Sequence, residues 1–436
     1  HGGAAASGRW LFVATRAATL EGVAFAAQPA PWQTVAVLHG GDQAAAPSLY
    51  GIHLAFALSQ QLAGLSESPR LLVLTCGTLA ASAAHAASDA AHGGAWGFAR
   101  VLRLEHAAQR SQSADVSRGA HIAGAHLLFG RTTEGEVSWR GETMHAMRLR
   151  ACIVTTKRHR SIARGHYAIT GGLGGLGVRA ATLLVEGGAS GVLLASRSGR
   201  VARDGPLLDM QLAALRTRAQ AVASDVGDVA DAIWLFAFAT LAGVLHAAGV
   251  LRDKMLRSMV TDDLDSAFAP KAVAASHAHS AVGRTPLDAM GLFSSVASTF
   301  GNVGQANYAA ANAYLDALVW SRRLCGMLGS SLQITAVSGA GMGAISFNKE
   351  QLDAMGAISL DEFASCLAIS LAPAQTTAGR AQAPLVRALL ETMVMPALSE
   401  LSREMKRGCP TIASVALAAS SAFAESIAGL APSQRR

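Results

Sequence analysis

The strongest constraint on what this chain can fold into is one short stretch, Thr170-Gly-Gly-Leu-Gly-Gly-Leu-Gly177. It follows a run from His166 to Thr170 that reads as a strand and opens an apolar-periodic segment through Glu186 that reads as a helix. Gly172, Gly174 and Gly177 satisfy G-x-G-x-x-G; Thr170, Gly171, Gly175 and Gly177 satisfy T-G-x-x-x-G-x-G. Glycines so placed permit a tight turn and bring backbone N–H groups close to a pyrophosphate at a helix N-terminus. A purely structural glycine turn gives the same letters, but the strand–turn–helix context points to a dinucleotide. The whole stretch, Leu173 and Leu176 included, is the candidate cofactor cradle.

The end of the next strand, Gly191 to Ser196, bears on which dinucleotide is used. A carboxylate there would bind a ribose 2′-hydroxyl and repel a 2′-phosphate. The chain instead reads Ala195-Ser-Arg-Ser-Gly-Arg200. Arg197 can fork onto a phosphate, with Ser196 and Ser198 adding hydroxyls, so NADPH is expected over NADH; an ordinary surface arginine is the plain alternative. Asp225-Val226, after a third strand at Gln220 to Ala223, can hold an adenine amino group or serve as a helix cap.

Further strands are expected at Val244 to Ala247, Gly291 to Ser295 and Leu332 to Val337. The front of the chain alternates in the same way. Strands are expected from Thr34, from Leu71 and at Ala125 to Phe129, with helices at Tyr50 to Leu65 and Ala95 to Ala108. That alternation implies an α/β fold of two Rossmann-like, doubly wound parallel-sheet subdomains. The expected division is 1–150 structural, 163–375 catalytic and NADPH-binding, and 376–436 a C-terminal tail or linker of unknown role. Ala232 to Leu251 carries no charge over 20 residues, a length that spans a bilayer, yet a helix followed by a central buried strand reads the same way. No membrane association is expected.

The net charge of +7 is spread over scattered arginines, unlike the stripes of a nucleic-acid binder, and no nucleic-acid partner is expected. The densest run, Lys157-Arg-His-Arg160, reads as a solvated linker or a docking patch for an acidic partner. Five widely spaced cysteines without C-x-x-C fit a reducing, cytoplasmic-type compartment, and no metal site is expected, the alternating His277-Ala-His279 lacking further ligands. The start at His1, without Met or signal pattern, suggests a segment of something longer.

The cradle, together with His246-Ala-Ala-Gly249, Phe293-Ser-Ser-Val-Ala297 and Gly304-Gln-Ala-Asn-Tyr-Ala-Ala-Ala-Asn312, resembles the ketoreductase domain of a modular polyketide synthase, a member of the short-chain dehydrogenase/reductase superfamily. The resemblance runs from about residue 30 to 345 and includes Ala95-Trp-Gly-Phe-Ala-Arg-Val-Leu-Arg-Leu-Glu-His106, similar to the family's non-catalytic subdomain. Ser295 stands 13 residues before Tyr308, and Asn312 stands 4 after it. The resemblance implies a catalytic tetrad of Tyr308, Ser295, Lys271 and Asn312, with His246, Ala247, Ala248 and Gly249 among the cofactor contacts. Hydride delivery to a ketone needs an acid beside the oxygen, and a phenol, with a free pKa near 10, is a sluggish donor at neutral pH unless a cation lowers it. In ordinary members that cation lies four residues after the tyrosine. Here that place is Asn312, and Lys271 matches the upstream lysine of the ketoreductase domains.

Two departures stand out. The sixth strand runs Ile334-Thr-Ala-Val337 where the family commonly has Trp-Gly-x-Trp, and the segment from Asp225 to His246 is a few residues short. Stereochemical markers are mixed. Leu251-Arg-Asp253 keeps the second acid of a Leu-Asp-Asp-like segment, Phe300 replaces a tryptophan eight residues before the tyrosine, and Gln305 and Ala310 are not the marks of epimerising domains. The resemblance therefore implies a B-type, non-epimerising reductase giving a D-configured β-hydroxyl, with Asp253 in a helix cap or a solvated turn as the alternative. The implied substrate is a β-ketoacyl thioester on the phosphopantetheine arm of an acyl carrier protein, with neighbouring synthase domains as partners. A non-reducing structural scaffold and a fatty-acid-type 3-ketoacyl reductase are the competing functions.

Overall fold

The structure is a computed structural model that describes residues 10–14, 34–39, 46–65, 68–79, 90–116, 134–140, 143–146, 164–201, 206–237, 240–283, 285–346, 348–354 and 357–371. The expected strand at 125–129, the basic run at 157–160 and the tail at 376–436 lie outside the described residues. The strands are β1 (Trp10–Ala14), β2 (Thr34–His39), β3 (Arg70–Cys76), β4 (Gln112–Val116), β5 (Glu136–Arg140), β6 (Thr143–Ala146), β7 (His166–Thr170), β8 (Gly191–Ser196), β9 (Ala219–Ala223), β10 (Leu241–His246), β11 (Ala289–Ser295) and β12 (Ser330–Ile334). The principal helices are α1 (Leu49–Ala63), α2 (Gly93–Glu105), α3 (Gly175–Glu186), α4 (Pro206–Ala214), α5 (Val229–Ala237), α6 (Thr261–Phe268), α7 (Ala274–Ala281), α8 (Ala306–Leu324) and α9 (Leu360–Leu371).

The chain forms two compact units. One gathers the described residues within His1–Met147, Arg252–Phe268 and Ala297–Gly326; the other gathers those within Arg148–Leu251, Ala269–Val296 and Met327–Arg436. This differs from the division at 150 and 163 expected from the sequence, because α6 and α8 group with the N-terminal residues. The reason is packing between small residues. A Cβ on Gly97 would lie 2.2 Å from the Ala309 carbonyl oxygen, and one on Gly93 would lie 2.4 Å from Ala317 Cβ. Only glycines on α2 let its backbone approach α8 that closely, and Ala310 and Ala313 complete the contact.

The first unit's sheet runs in the order β1-β2-β3-β4-β5-β6, parallel except for the antiparallel β5–β6 pair. Sequence reading missed β4 because Gln-Ser-Ala-Asp-Val shows no apolar pattern, although all five residues are buried. Asp115 is tolerated there because it accepts hydrogen bonds from the Thr75 hydroxyl at 2.6 Å and from the N–H groups of Thr78 and Leu79 at 3.0 Å. Opposite it, α2 is tied to β5 by a bidentate Arg100–Glu136 pair at 2.6 and 2.7 Å. Burial pushes the Glu136 carboxyl up, but Arg100 and Arg103 outweigh it and hold that group below the usual carboxylate range.

The second unit's sheet is wholly parallel, ordered β12-β11-β10-β7-β8-β9, the arrangement of a doubly wound dinucleotide-binding fold. In that order the strand sequence reverses between β7 and β10, and ligands bind outside the strand C-termini at such a point. The core around it includes Ile169, Leu184, Leu194, Leu245 and the edge-on pair Phe293–Phe363, with ring centroids 5.6 Å apart. The uncharged stretch 232–251 divides into the end of α5 and the central strand β10. Among the described residues no helix is long and apolar enough to cross a membrane.

Candidate active site

In the second unit the cradle forms as its glycines require. Gly171 adopts φ +66°, and a Cβ there would lie 2.7 Å from the Ala248 backbone. Gly177 packs against the turn itself, its Cβ position 2.5 Å from the Gly171 oxygen. Gly174 caps α3 in an extended conformation, leaving the first-turn N–H groups at the helix start for an anion. Leu173 is buried in the core, so it can offer a cofactor only its backbone, whereas Leu176 packs against that core and stays partly exposed.

At the end of β8, Arg197 is exposed and makes no hydrogen bond or ion pair with any described residue. Ser198 accepts a hydrogen bond from the Arg200 N–H at 3.2 Å, and Gly199 closes the turn onto the Ser196 oxygen at 3.1 Å. Asp225 is exposed. Its Oδ1 accepts from the Gly227 N–H at 3.0 Å, while Asp228, not Asp225, caps α5 through the N–H groups of Ala230 and Asp231. Val226 is buried, so its side chain is closed to an adenine.

His246 departs most from expectation. Its side chain is fully buried, and both ring nitrogens are spent inside the protein. Nε2–H donates to the Lys271 carbonyl at 2.8 Å, which leaves Nδ1 to accept the Thr170 hydroxyl at 2.6 Å. Burial, and then the Lys271 charge, push the imidazole down to about 3 against the raising effect of that carbonyl. His246 is thus a neutral strut joining the cradle to the backbone of Lys271, and its side chain touches no open surface. The backbone of Ala247 donates to the Thr170 oxygen at 2.9 Å, and Ala248 lies against Gly171.

Lys271 sits in a π-helical turn, Ala269–Val273, between α6 and α7, and is 3% exposed. Its Nζ donates to the Phe293 carbonyl at 2.9 Å, two residues before Ser295 on β11. Gly249 makes room for it: a Cβ there would fall 2.8 Å from Lys271 Cε and 3.2 Å from Nζ. After β12, Val337 is buried and pairs with Ile358, whose N–H donates to the Ala336 oxygen at 3.0 Å; this pins the segment that departs from the family pattern.

In the first unit, Tyr308 lies in the first turn of α8, partly exposed. Asn312, fully buried, donates its amide to the Tyr308 carbonyl at 2.8 Å. Gln305 is held at both ends of its amide, donating to Asp253 Oδ2 at 2.8 Å and accepting from Asn302 at 3.0 Å. Asp253 is exposed in the irregular segment before α6, and its carboxylate is partnered to Gln305. Phe300, half-buried, ends the short helix Ala297–Phe300.

The KR domain model matches residues 165–339. Among curated proteins, a phenolphthiocerol/phthiocerol polyketide synthase from Mycobacterium tuberculosis is 37% identical over 278 residues, 60% of this chain and 15% of that protein. Among solved structures, one described as A-type ketoreductases from a modular polyketide synthase is 31% identical with a TM-score of 0.68, covering 78% of this chain and 75% of the other. An A1-type ketoreductase is 28% identical with a TM-score of 0.71, covering 89% and 83%. The chain belongs to the ketoreductase domains of modular polyketide synthases. These are short-chain dehydrogenases/reductases, oxidoreductases that act on a ketone with a nicotinamide cofactor, and their place in polyketide biosynthesis is β-ketoacyl reduction. The chain spans about 15% of the length of the first curated relatives it matches.

The ketoreductase's own residues fit such a cofactor. Gly171, Gly172, Gly175 and Gly177 stand where a Cβ would collide with neighbouring protein atoms, which keeps the turn tight at the start of α3, and Arg197 is exposed at the strand end without a partner among the described residues. Among the described residues no cluster of three or more His, Cys, Asp or Glu side chains can hold a metal ion. Two residues that sequence reasoning passed over prove central to the geometry. Asn307, fully buried, donates to the carbonyls of Arg252 and Asp263 at 2.9 Å, and Glu105 joins two loops described below. Partners 44 to 199 residues away leave no local signal in the sequence.

Proposed function

We propose that this ketoreductase domain reduces a β-ketoacyl thioester, carried on the phosphopantetheine arm of an acyl carrier protein, to the β-hydroxyacyl thioester with NADPH. The observation that carries the reading is the buried ammonium of Lys271, fixed to the Phe293 carbonyl at 2.9 Å beside the strand end that bears Ser295. A buried cation costs stability unless it is hydrogen-bonded or paired, and charged groups placed at that cost cluster at functional sites.

The cofactor, when bound, supplies a hydride to the ketone carbon. The Thr170–Gly177 turn and the start of α3 hold its pyrophosphate, and Arg197 with Ser196 and Ser198 reads the 2′-phosphate. Tyr308 delivers a proton to the ketone oxygen, and the Ser295 hydroxyl donates a hydrogen bond to the same oxygen. Lys271 stabilises the resulting phenolate. Asn312 holds the tyrosine's own helical turn through the Tyr308 carbonyl.

We assign the domain as B-type and non-epimerising, giving the D-configured β-hydroxyl. Asp253 engages Gln305 at 2.8 Å, and Phe300 stands where A-type domains have tryptophan. The net charge of +7 favours an acidic carrier protein, and neighbouring synthase domains are the expected covalent partners. The deciding experiment is NADPH oxidation with a β-ketoacyl thioester of N-acetylcysteamine. Wild-type protein turns over, and Tyr308→Phe binds NADPH but loses about 10²-fold or more in kcat. Wild-type protein that binds NADPH without oxidising it would establish the scaffold reading instead, and an L-configured product would overturn the B-type assignment.

A further inference from the structure

Two segments of the first unit carry the residues assigned to stereocontrol. Arg252–Val260 leads from β10 to α6 and bears Asp253; Gly301–Gln305 leads into α8 and bears Gln305. Their main chains touch, Lys254 N–H donating to the Gly304 oxygen at 2.8 Å, and their side chains meet in the Gln305–Asp253 bond. One carboxylate holds both. Glu105, the last residue of α2, accepts from the Leu256 N–H at Oε2 (2.6 Å) and from the Gly304 N–H at Oε1 (2.8 Å). Gly304 presents that N–H from the left-handed region, φ +81°. Gly301, at φ +73°, lies so close to α2 that a Cβ would sit 3.1 Å from the Arg100 oxygen.

A negative charge at the C-terminal end of a helix opposes the helix dipole. Local helix stability therefore does not account for Glu105; its two loop contacts do. We propose that Glu105 is a positioning residue for stereochemical outcome, setting the relative placement of Asp253 and Gln305 by clamping the two segments that carry them. The proposal rests on the stereocontrol reading above and assigns a specificity role to the subdomain counted as non-catalytic. Other ties brace the first segment alone: Asn307 to Arg252 and Asp263 and Lys254 to Asp263 at 2.9 Å, Val260 N–H to Asp263 at 3.0 Å, and Gln60 of α1, whose amide donates to the Leu256 and Met259 carbonyls at 2.8 and 3.1 Å. Glu105 alone among these side chains binds the backbone of both segments.

The test uses Glu105→Gln and Glu105→Ala. In the glutamine variant one amide nitrogen faces a backbone N–H, donor against donor, so one segment is released; alanine releases both. Hydrogen–deuterium exchange of the Leu256 and Gly304 amides is expected to accelerate at least tenfold in Glu105→Ala, with β10 unchanged. Chiral chromatography of the reduced N-acetylcysteamine thioester is expected to show the enantiomer ratio falling at least tenfold, with the Kd for NADPH within twofold of wild type. Should the wild type give the L-alcohol, the B-type assignment fails, while a ratio eroded in the variants still supports the clamp. Exchange at both amides unchanged from wild type would overturn the clamp whatever the turnover. So would an intact enantiomer ratio in a variant whose only change is a lower melting temperature.

Discussion

Replacing Gly249 with alanine tests the site through a single added carbon. Gly249 does not have a positive φ, so its backbone accepts a side chain, and the added Cβ meets chiefly the tail of Lys271, at 2.8 Å from Cε and 3.2 Å from Nζ. Non-bonded carbons settle at about 3.5–4.0 Å, so Cε must retreat by at least about 0.7 Å. The retreat moves the atom next to Nζ, whose bond to the Phe293 carbonyl is 2.9 Å. A hydrogen bond from a charged group contributes about 1.5–3 kcal/mol, and that is the expected loss in unfolding free energy. Because the lysine tail is flexible, the fold yields there rather than at its backbone. On the proposed function, turnover is expected to fall about 10-fold or more, with the activity optimum moving to higher pH. Equilibrium unfolding and the pH–rate profile with NADPH measure both effects. The same change in a Lys271→Ala background is expected to be nearly neutral, since its collision partner is gone. Equal costs in the two backgrounds would refute the reasoning.

Other expectations follow from single contacts. His246, about 3 in the fold against an ordinary 6.5, adds stability that is fully present above pH 6.5 and lost as pH falls toward 3, at up to about 1.4 kcal/mol per pH unit. The stability advantage of wild type over His246→Gln should therefore shrink between pH 6.5 and 4, and a pH-independent difference would contradict this. Arg197→Ala should raise the KM for NADPH by about 10- to 100-fold and leave that for NADH nearly unchanged; equal weakening would make Arg197 a structural residue. Gly97→Ala puts a Cβ 2.2 Å from a helix carbonyl that cannot rotate away, so it should cost about 3 kcal/mol or more and lower activity with it, as read by denaturant unfolding.

The sequence determined the strands and the glycine turn of the second unit. These, and the spacing of Ser295 in that unit and of Tyr308 and Asn312 in the first, are local signals, written close to where they act. The absence of an acid after β8 was equally local, and so was the aromatic change at Phe300. Tertiary structure decided the rest, because the physics there is pairwise and distant. Whether His246 faces a cofactor or a carbonyl depends on Lys271, 25 residues away, and its burial makes it a strut. That Asp253 engages Gln305 depends on a partner 52 residues on, which no local pattern announces. The grouping of α6 and α8 with the N-terminal half follows from glycines on α2 meeting alanines on α8, a match of two small surfaces that neither segment reveals alone. For the same reason β4, polar in composition and fully buried, was invisible until the donors around Asp115 were in place. Glu105, too, acquires meaning only when chain segments 151 and 199 residues away bring it their N–H groups.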